Sequence, residues 1–330
     1  MTPRKHWARI WVLAVAGLVV LLVLPVLIPE QRFTLRLACQ VFMNVTILMG
    51  VQIILGFSKQ FSLAQVAFYG IGAYTTALLT THGVATVPAL LLSGLVAGVA
   101  AVLVAIPAVR FTGPWLSLVT FAFAQIIQIL MARLKGITGG TAGFYNIPRP
   151  SIGTIEITRE IDYYYMLLVI ASLAVLLMVR LRYSAYGRVW LSIGDNPDIA
   201  ASLGVNVPAQ RVLAFFIGSF LAGVAGGSFA TYTTFISPES FGLPQTIQTL
   251  TILVIGGIES IVGVLVSVVF VTLSSNYLLA LHPWDLILYG LVIVLIMNFL
   301  PGGFGELIAR LRPRARAPTP PQATEASRAA

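Results

Sequence analysis

The side chains that could do chemistry are few in this chain, and their spacing forms no reaction centre. With three histidines and one cysteine, a zinc site of the His/Cys type is nearly impossible, and no disulfide can form within the chain. Cys39 lies alone in an apolar run, which is typical of a small buried hydrophobic residue. His6, His82 and His282 lie at segment ends without a partner for nucleophilic or metal chemistry. We therefore expect no catalytic residue, no metal site and no cofactor.

Chemistry that could drive a transport cycle is also missing. Lys5, Lys59 and Lys135 are the only lysines, and none lies in the G-x-x-x-x-G-K-S/T loop that cradles nucleotide phosphates. An ion-coupled carrier needs titrating groups inside its spans, and almost no acidic residue lies there. Glu259 is the one acid near a span, where it could be a helix cap rather than a relay. This pattern favours an energy source on another subunit.

Amides are the most frequent strongly polar side chains within the apolar runs. They can bind the ammonium and carboxylate of a zwitterion without a net charge, but they also join helices through hydrogen bonds worth ~0.6–2 kcal/mol. Gln125 and Gln128 lie three apart on one predicted helix face, as do Gln245 and Gln248, so each pair could line a polar path. The candidate translocation path consists of Asn44, Gln65, Gln125, Gln128 and Gln248.

The segment 187–204 has the clearest local helix signals in the chain. Asn196 is a candidate N-cap, Pro197 suits the first helical position, and Asp198 complements the positive end of the helix dipole. Gly204 is placed to end the helix. We predict a helix of about two turns between them.

A helix this short is marginal in water, so something else must hold it. Ile199 and Leu203 are four apart and would share one face, while Ala200 and Ala201 are small enough for close approach. The helix could pack against the protein's own membrane face or enter a groove on a partner. The missing energy-coupling chemistry favours the partner.

The elements that must position these residues are predicted to be membrane-spanning helices. The chain is 58% hydrophobic and 9% charged, whereas soluble proteins are about a quarter charged. This composition predicts an all-α, polytopic helical membrane protein with about ten spans, one or more of them broken or short. The candidate spans lie near 10–28, 37–57, 62–81, 88–109, 114–131, 163–181, 211–232, 245–258, 261–281 and 284–300.

Several of these spans have features that bear on helix packing and helix breaks. The run near 245–258 ends at Gly256-Gly257 and is too short for an upright crossing, so 245–281 could be a broken or re-entrant helix. Gly94 with Gly98, and Gly223 with Gly227, have the G-x-x-x-G spacing that lets helices approach closely. Such pairs serve static packing in most helical membrane proteins and could serve helix movement in a transporter.

Basic residues indicate the orientation. With ten spans both termini share one side, which holds 14 of the 20 Lys and Arg residues against 6 on the other side. The positive-inside rule then places both termini in the cytoplasm, and the net charge of +9 reports topology rather than nucleic-acid binding. We expect one transmembrane domain over 1–310, with a cytoplasmic loop at 182–210, and a disordered cytoplasmic tail over 311–330.

Six motifs occur in a fixed order along the chain. The stretch 61–74, FSLAQVAFYGIGAY, comes first and TGGTAG at 138–143 second. The loop at 187–204, SPESF at 237–241, Gly256-Gly257 and PGGF at 301–304 follow. In these motifs the chain resembles the LivM-type membrane permeases of branched-chain amino acid ABC importers over roughly 35–305.

The chain departs from that family at four positions. The family usually has Gly where this chain has Lys59, Arg where it has Gly194, Gly where it has Glu259, and Pro where it has Val264. Gly194 removes a charge from the loop that contacts the ATPase in the family, and Glu259 adds an acid to a glycine-rich bend.

The resemblance implies an importer of branched-chain or other hydrophobic amino acids in a bacterial inner membrane. This subunit would pair with a second, LivH-like permease, two ATP-binding cassette subunits would dock from the cytoplasm, and a periplasmic binding protein would deliver substrate. The outer segments 132–162 and 233–244 would face the binding protein. The ATPase-coupling loop would use Gly187, Arg188, Asp195, Asn196, Ala200, Ala201 and Gly204.

Three alternatives stay open at this point. One is an ABC permease for urea or short amides, since specificity usually resides in the binding protein. Another is a secondary amino acid carrier that uses Glu259 as its titrating group. An intramembrane enzyme is the weakest, because no span holds a His, Cys or paired-acid constellation.

Overall fold

The computed structural model describes residues 32–111, 113–152, 155–278 and 303–311, together with the single positions 290 and 294. The predicted span at 10–28, nearly all of the span at 284–300, and the tail after 311 lie outside these residues. The first half of the described chain contains α1 (Arg32–Val51), a π-helix (Gln52–Phe57), α2 (Gln65–Thr81), α3 (Thr86–Ala108), α4 (Pro114–Arg133), α5 (Lys135–Thr138) and a 3-10 turn (Gly140–Ala142).

The second half opens with a short antiparallel hairpin and then returns to helices. The hairpin pairs β1 (Ser151–Ile152) with β2 (Ile155–Glu156). The helices are α6 (Glu160–Tyr183), α7 (Ala185–Asp195), α8 (Pro197–Ser202), α9 (Val207–Thr233), a 3-10 turn (Pro238–Phe241), α10 (Leu243–Gly256), α11 (Ile261–Leu278) and α12 (Gly303–Leu311).

Five described helices are long and apolar enough to cross a membrane, and each coincides with a predicted span. They are Phe33–Phe57, Thr86–Ala108, Pro114–Arg133, Glu160–Tyr183 and Val207–Thr233. The helix α2 has 17 residues and α10 has 14, so both are shorter than the ~20 residues of an upright crossing. The all-α, polytopic membrane fold class is confirmed, with the two-residue strands as a minor addition.

The helix α9 is at the centre of the bundle, because its glycines let neighbouring backbones touch it. A Cβ atom added at Gly218 would lie 2.6 Å from the carbonyl oxygen of Gly50 on α1. One added at Gly223 would lie 2.7 Å from the Ser93 carbonyl oxygen and 3.0 Å from Cα of Gly94 on α3. The two predicted G-x-x-x-G motifs therefore pack against each other where Gly223 meets Gly94. A larger residue at Gly218 or Gly223 would collide with backbone atoms.

The region 245–281 forms two helices in an antiparallel hairpin. With 14 residues α10 is about 21 Å long and ends at Gly256, and the next residue, Gly257, has a φ of +87° that favours glycine. The hydroxyl of Ser267 on α11 donates a 2.7 Å hydrogen bond to the Ile252 carbonyl oxygen on α10. Across the same pair, a Cβ atom at Gly256 would lie 2.6 Å from Cα of Val264. The region 245–281 is therefore not one continuous helix: α10 and α11 are separate helices joined by a tight bend.

Candidate functional site

The loop that connects α6 to α9 folds as two short helices at one end of the bundle. The hydroxyl of Ser184 caps α7 by accepting a bond from the Gly187 N–H, and Gly187 sits so close to the end of α6 that a Cβ atom would clash with the Leu181 carbonyl oxygen. Trp190 and Ile193 are fully buried and fix α7 to the body of the protein. The base of the loop is therefore rigid.

The predicted capping of α8 is confirmed. The side-chain oxygen of Asn196 accepts hydrogen bonds from the backbone N–H groups of Asp198 and Ile199, both at 3.1 Å. Pro197 begins the helix, and Gly204 follows it with a φ of +85°, where glycine is strongly favoured. The helix is held by these local bonds as well as by packing.

Its two faces differ in exposure. Ala200 is buried at 2% exposure, whereas Ala201 is exposed. Ile199 and Leu203 are 59% and 79% exposed, so the outer face of α8 presents two large apolar side chains. Arg188 does not point to this face, because its guanidinium donates a 3.1 Å bond to the Tyr183 carbonyl oxygen.

Asp195, at the end of α7, belongs to a small ion cluster. Lys59 Nζ lies 2.8 Å from a carboxylate oxygen of Asp195 and 3.6 Å from one of Glu259. The hydrogen bond to Asp195 raises the pKa of Lys59 above its ordinary value. At this bend the Ser260 hydroxyl accepts a hydrogen bond from the Gly263 N–H, and the contact described for the Glu259 carboxylate is the one with Lys59.

A cavity of about 560 Å³ lies at the opposite half of the bundle, between α1, α9, α10 and α11. Asn44 and Gln248 of the predicted path line it. The amide of Asn276 donates to Gln40 Oε1 at 3.2 Å, so a bonded amide pair forms part of the wall. The sequence reasoning missed Gln40, although its spacing of four from Asn44 placed both on one face of α1.

Arg36 lies at the rim of this cavity and pairs with Glu160 at 3.2 Å. The other polar residues of the wall are neutral, and they alternate with aromatic and aliphatic side chains. Neutral polar residues that line the cavity are Gln40, Asn44, Tyr69, Tyr232, Thr233, Ser240, Gln245, Gln248 and Asn276.

The other three residues of the predicted path lie elsewhere. Gln65 is buried and donates to the Ser219 hydroxyl at 3.4 Å, which joins α2 to α9. Gln128 donates to the Pro238 carbonyl oxygen at 3.4 Å. Gln125, one turn earlier on α4, is half-buried, and its side-chain amide forms no hydrogen bond within the described chain. Among the residues that the structure describes, no group of three or more His, Cys, Asp or Glu side chains could hold a metal ion.

The two segments predicted to face outward meet at the end of the bundle away from α8. Phe144 and Ile236 exchange two backbone hydrogen bonds, of 2.8 and 3.1 Å. Next to this bridge, the rings of Tyr145 and Phe235 lie 4.5 Å apart, and Tyr145 remains 59% exposed. The segments 132–162 and 233–244 therefore form one surface.

Comparisons with known proteins agree with this architecture. Residues 33–297 match the family model described as branched-chain amino acid transport system / permease component. The high-affinity branched-chain amino acid transport system permease protein LivM of Escherichia coli strain K12 is 30% identical over 325 residues, which cover 91% of this chain and 76% of LivM. LivM of Salmonella typhimurium is 29% identical with the same coverage.

A more distant relative carries a different name. The autoinducer 2 import system permease protein LsrC of Escherichia coli strain K12 / DH10B is 26% identical over 306 residues, which cover 87% of this chain and 85% of LsrC. No solved structure matches the chain. From the extent of the family match and the identity to LivM, we conclude that this membrane-embedded chain belongs to the family of permease components of branched-chain amino acid transport systems.

Proposed function

We propose that this chain is a transmembrane permease subunit of an ABC importer and translocates branched-chain or other hydrophobic amino acids that a periplasmic binding protein delivers. The family match supports the transport role, and the names of the relatives support the substrate class. The observation that carries the mechanism is α8, a capped helix on which the side chains of Ile199 and Leu203 are exposed. The chain itself is not expected to be an enzyme, because ATP hydrolysis would occur on separate subunits.

The exposed face of α8 is the proposed contact with an ATP-binding cassette subunit. An apolar pair on a short, rigidly capped helix suits a groove, in which i and i+4 side chains act as anchors. Gly187, Asp195, Asn196 and Gly204 would hold the helix in position, and Ala200 would pack beneath it. Arg188 would serve the loop's own structure rather than the partner, since it bonds to Tyr183.

The orientation follows from the same assignment. The loop end would lie in the cytoplasm and the Phe144–Ile236 surface in the periplasm, with both termini cytoplasmic and the chain in a bacterial inner membrane. The bias of basic residues toward the loop side supports this orientation. The aromatic and apolar side chains of the outer surface, such as Tyr145 and Ile137, would receive the binding protein.

The second permease is proposed to cover α4. Only 22% of the most apolar window of this helix is buried. Gln125 lies near the middle of the helix, and its side-chain amide has no hydrogen bond in the described chain. Unsatisfied amides in contact with lipid are costly, so membrane proteins turn them toward another helix or a water-filled path. Gln125 and Gln128 would then line the path at the contact between the two permeases.

The cavity has a suitable size and lining for an amino acid. Small-molecule sites generally measure about 300–1,000 Å³ and combine apolar walls with a few polar groups. Neutral amides such as Asn44 and Gln248 can bond the two charged groups of a zwitterion, while Met43 and Phe229 would contact an aliphatic side chain. We propose this cavity as an outward-facing part of the translocation path.

Reconstitution tests the proposal. The chain would be purified with its partner subunits, placed in liposomes, and assayed for ATP-dependent uptake of leucine, valine, urea and autoinducer 2. We expect uptake of the branched-chain amino acids. Leu203→Glu should reduce this uptake at least tenfold, because a charge then faces an apolar groove and a loss of about 1.4 kcal/mol in binding free energy weakens the contact tenfold.

Phe111→Glu is the matched control, because Phe111 is an exposed apolar residue at the same end but outside the loop. It should transport like the wild type. Uptake by the purified chain alone, driven by an ion gradient and lost in Glu259→Gln, would instead favour a secondary carrier. ATP-dependent uptake of urea or autoinducer 2 alone would keep the ABC mechanism and overturn the amino acid substrate.

A further inference from the structure

Three of the four positions at which this chain differs from the usual LivM-type sequence lie together at one contact. Lys59 lies directly beyond the π-helix, Gly194 lies near the end of α7, and Glu259 lies in the bend between α10 and α11. A Cβ atom added at Gly194 would lie 2.9 Å from Cγ and 3.1 Å from Cδ of Lys59. The aliphatic part of the Lys59 side chain therefore packs against position 194 because glycine has no side chain there.

Lys59 joins two elements that belong to different parts of the molecule. Its ammonium bonds Asp195, which is adjacent to the Asn196 cap of α8, at 2.8 Å. The same ammonium lies 3.6 Å from the carboxylate of Glu259 in the bend. No other ion pair described in the structure connects the α7–α8 loop to the α10–α11 hairpin.

The backbone at Lys59 supports a specific role for the side chain. Its φ is +47°, a left-handed conformation that costs free energy for every residue with a Cβ atom and that glycine adopts freely. A lysine at such a position is a local disadvantage, and strained positions of this kind gather at functional sites. The two ion contacts are what distinguishes Lys59 from a glycine here.

The bend itself is held from the bundle side. The Gln52 amide in the π-helix donates to the Ile258 carbonyl oxygen at 3.1 Å, and the Arg182 guanidinium donates to the Glu259 carbonyl oxygen at 2.6 Å. A Cβ atom at Gly56 would lie 2.5 Å from the Ile258 oxygen, so the π-helix and the bend are in backbone contact. A displacement of the bend would therefore move α10 and α11 together.

Those two helices form one wall of the cavity. Gln245 and Gln248 on α10 and Asn276 on α11 line it. Gln248 lies nine residues before Gly257, which is about 13 Å along a helix, so α10 is a short and stiff connection between bend and cavity. Movement at the bend would reach the cavity wall without an intervening loop.

We propose that Lys59 is a positioning residue that couples the α7–α8 loop to the α10–α11 hairpin, so that movement imposed on the loop is passed to the cavity wall. This inference rests on the proposed function and deepens it by naming the contact that links energy input to the path. The contacts are largely solvent-exposed, so they contribute little to fold stability and their removal should leave the protein folded.

The first test measures amino acid imported per ATP hydrolysed by the complete importer in liposomes. We expect Lys59→Gln to lower this ratio by about fivefold or more, a typical coupling effect, while Lys59→Arg retains it. Arg110→Gln is the control, since the Arg110 side chain is exposed at the same end and makes no described hydrogen bond or ion pair. A wild-type ratio in Lys59→Gln would overturn the inference.

A double-mutant comparison separates a link from two unrelated contacts. Asp195→Asn cuts the loop arm and Glu259→Gln cuts the hairpin arm. If both act through Lys59, the double variant will be no worse than the more impaired single variant. Multiplied effects would contradict the proposal.

Hydrogen exchange provides a readout that a purely structural role would not change. ATP trapping should alter amide exchange at 257–264 in the wild-type importer, and in Lys59→Gln the change should be confined to the loop at 187–204. Equal changes at the bend in both proteins would overturn the inference even if transport is impaired. A wild-type importer without ATP-dependent uptake would overturn the proposed function as well, whereas normal uptake with unaffected variants would overturn only the link.

Discussion

Two membrane-crossing helices, α9 and α4, have opposite relations to the rest of the described chain. In the most apolar window of each helix, 61% of α9 is buried but only 22% of α4. Backbone contacts at glycines surround α9, whereas α4 exposes large side chains such as Trp115 and Ile129. In a bilayer both helices are apolar, so hydropathy does not separate them. What separates them is the placement of small residues, which marks the helix that organises the subunit.

The largest effect is expected from filling a glycine contact on α9. In Gly226→Leu the new side chain would collide with the Tyr69 carbonyl oxygen of α2, which is backbone and cannot turn away. We expect a loss of more than about 3 kcal/mol and little folded protein in detergent. Size-exclusion profiles of the purified chain measure this.

Ala122→Leu on α4 is the corresponding change on the other helix. Ala122 is exposed, so the added side chain meets no described neighbour and a normal profile is expected. Equal loss of folded protein in both variants would show that the contrast between the two helices is not one of packing.

A smaller effect is expected from a buried hydrogen bond. Ser219→Ala on α9 leaves the Gln65 amide buried without its partner, which should destabilise the chain by about 1 kcal/mol. On α4, the Ser117 hydroxyl donates to the Phe61 carbonyl oxygen in an exposed position, so Ser117→Ala should cost less than about 0.5 kcal/mol. Unfolding in mixed micelles compares the two, and a reversed order would contradict the assignment of α9 as the organising helix.

The smallest effect on the isolated chain is expected at Gln125 of α4. Gln125→Leu removes an amide without a hydrogen bond in the described chain, so the free energy of unfolding should change by less than about 0.5 kcal/mol. Assembly with the second permease should nevertheless weaken, because the partner would supply the missing bond. Co-purification yields measure this, with Ile126→Val as the neighbouring control, and unchanged assembly would argue that α4 faces lipid.

What the sequence predicts well here is local. The cap at Asn196 and the stop at Gly204 depend on residues within a few positions of each other, so the short helix α8 could be inferred before any fold was known. The break after Gly256 followed from length and from glycine in the same way. Apolar runs predicted the crossing helices because a bilayer requires a fixed length of apolar chain.

Features that depend on tertiary contacts could not be predicted from the sequence. Gln65 and Gln125 are both amides in apolar helices. Gln65 bonds Ser219 on α9, whereas the half-buried Gln125 side chain makes no described hydrogen bond, and nothing in their local sequence distinguishes them. The contact of Lys59 with Asp195 and Glu259 joins residues that are far apart in sequence, so spacing could not reveal it. Gln40 could have been found, because its position on α1 shares a face with Asn44.

The backbone bridge between Phe144 and Ile236 also has a consequence for the order in which the protein is made. Phe144 leaves the ribosome before α6 and α9, and Ile236 leaves it only after both. A partly synthesised chain can insert its early helices, but it has no completed outer surface until α9 has crossed. The bridge thus closes late in biogenesis, and a chain truncated before Ile236 would lack the surface that is proposed to receive the binding protein.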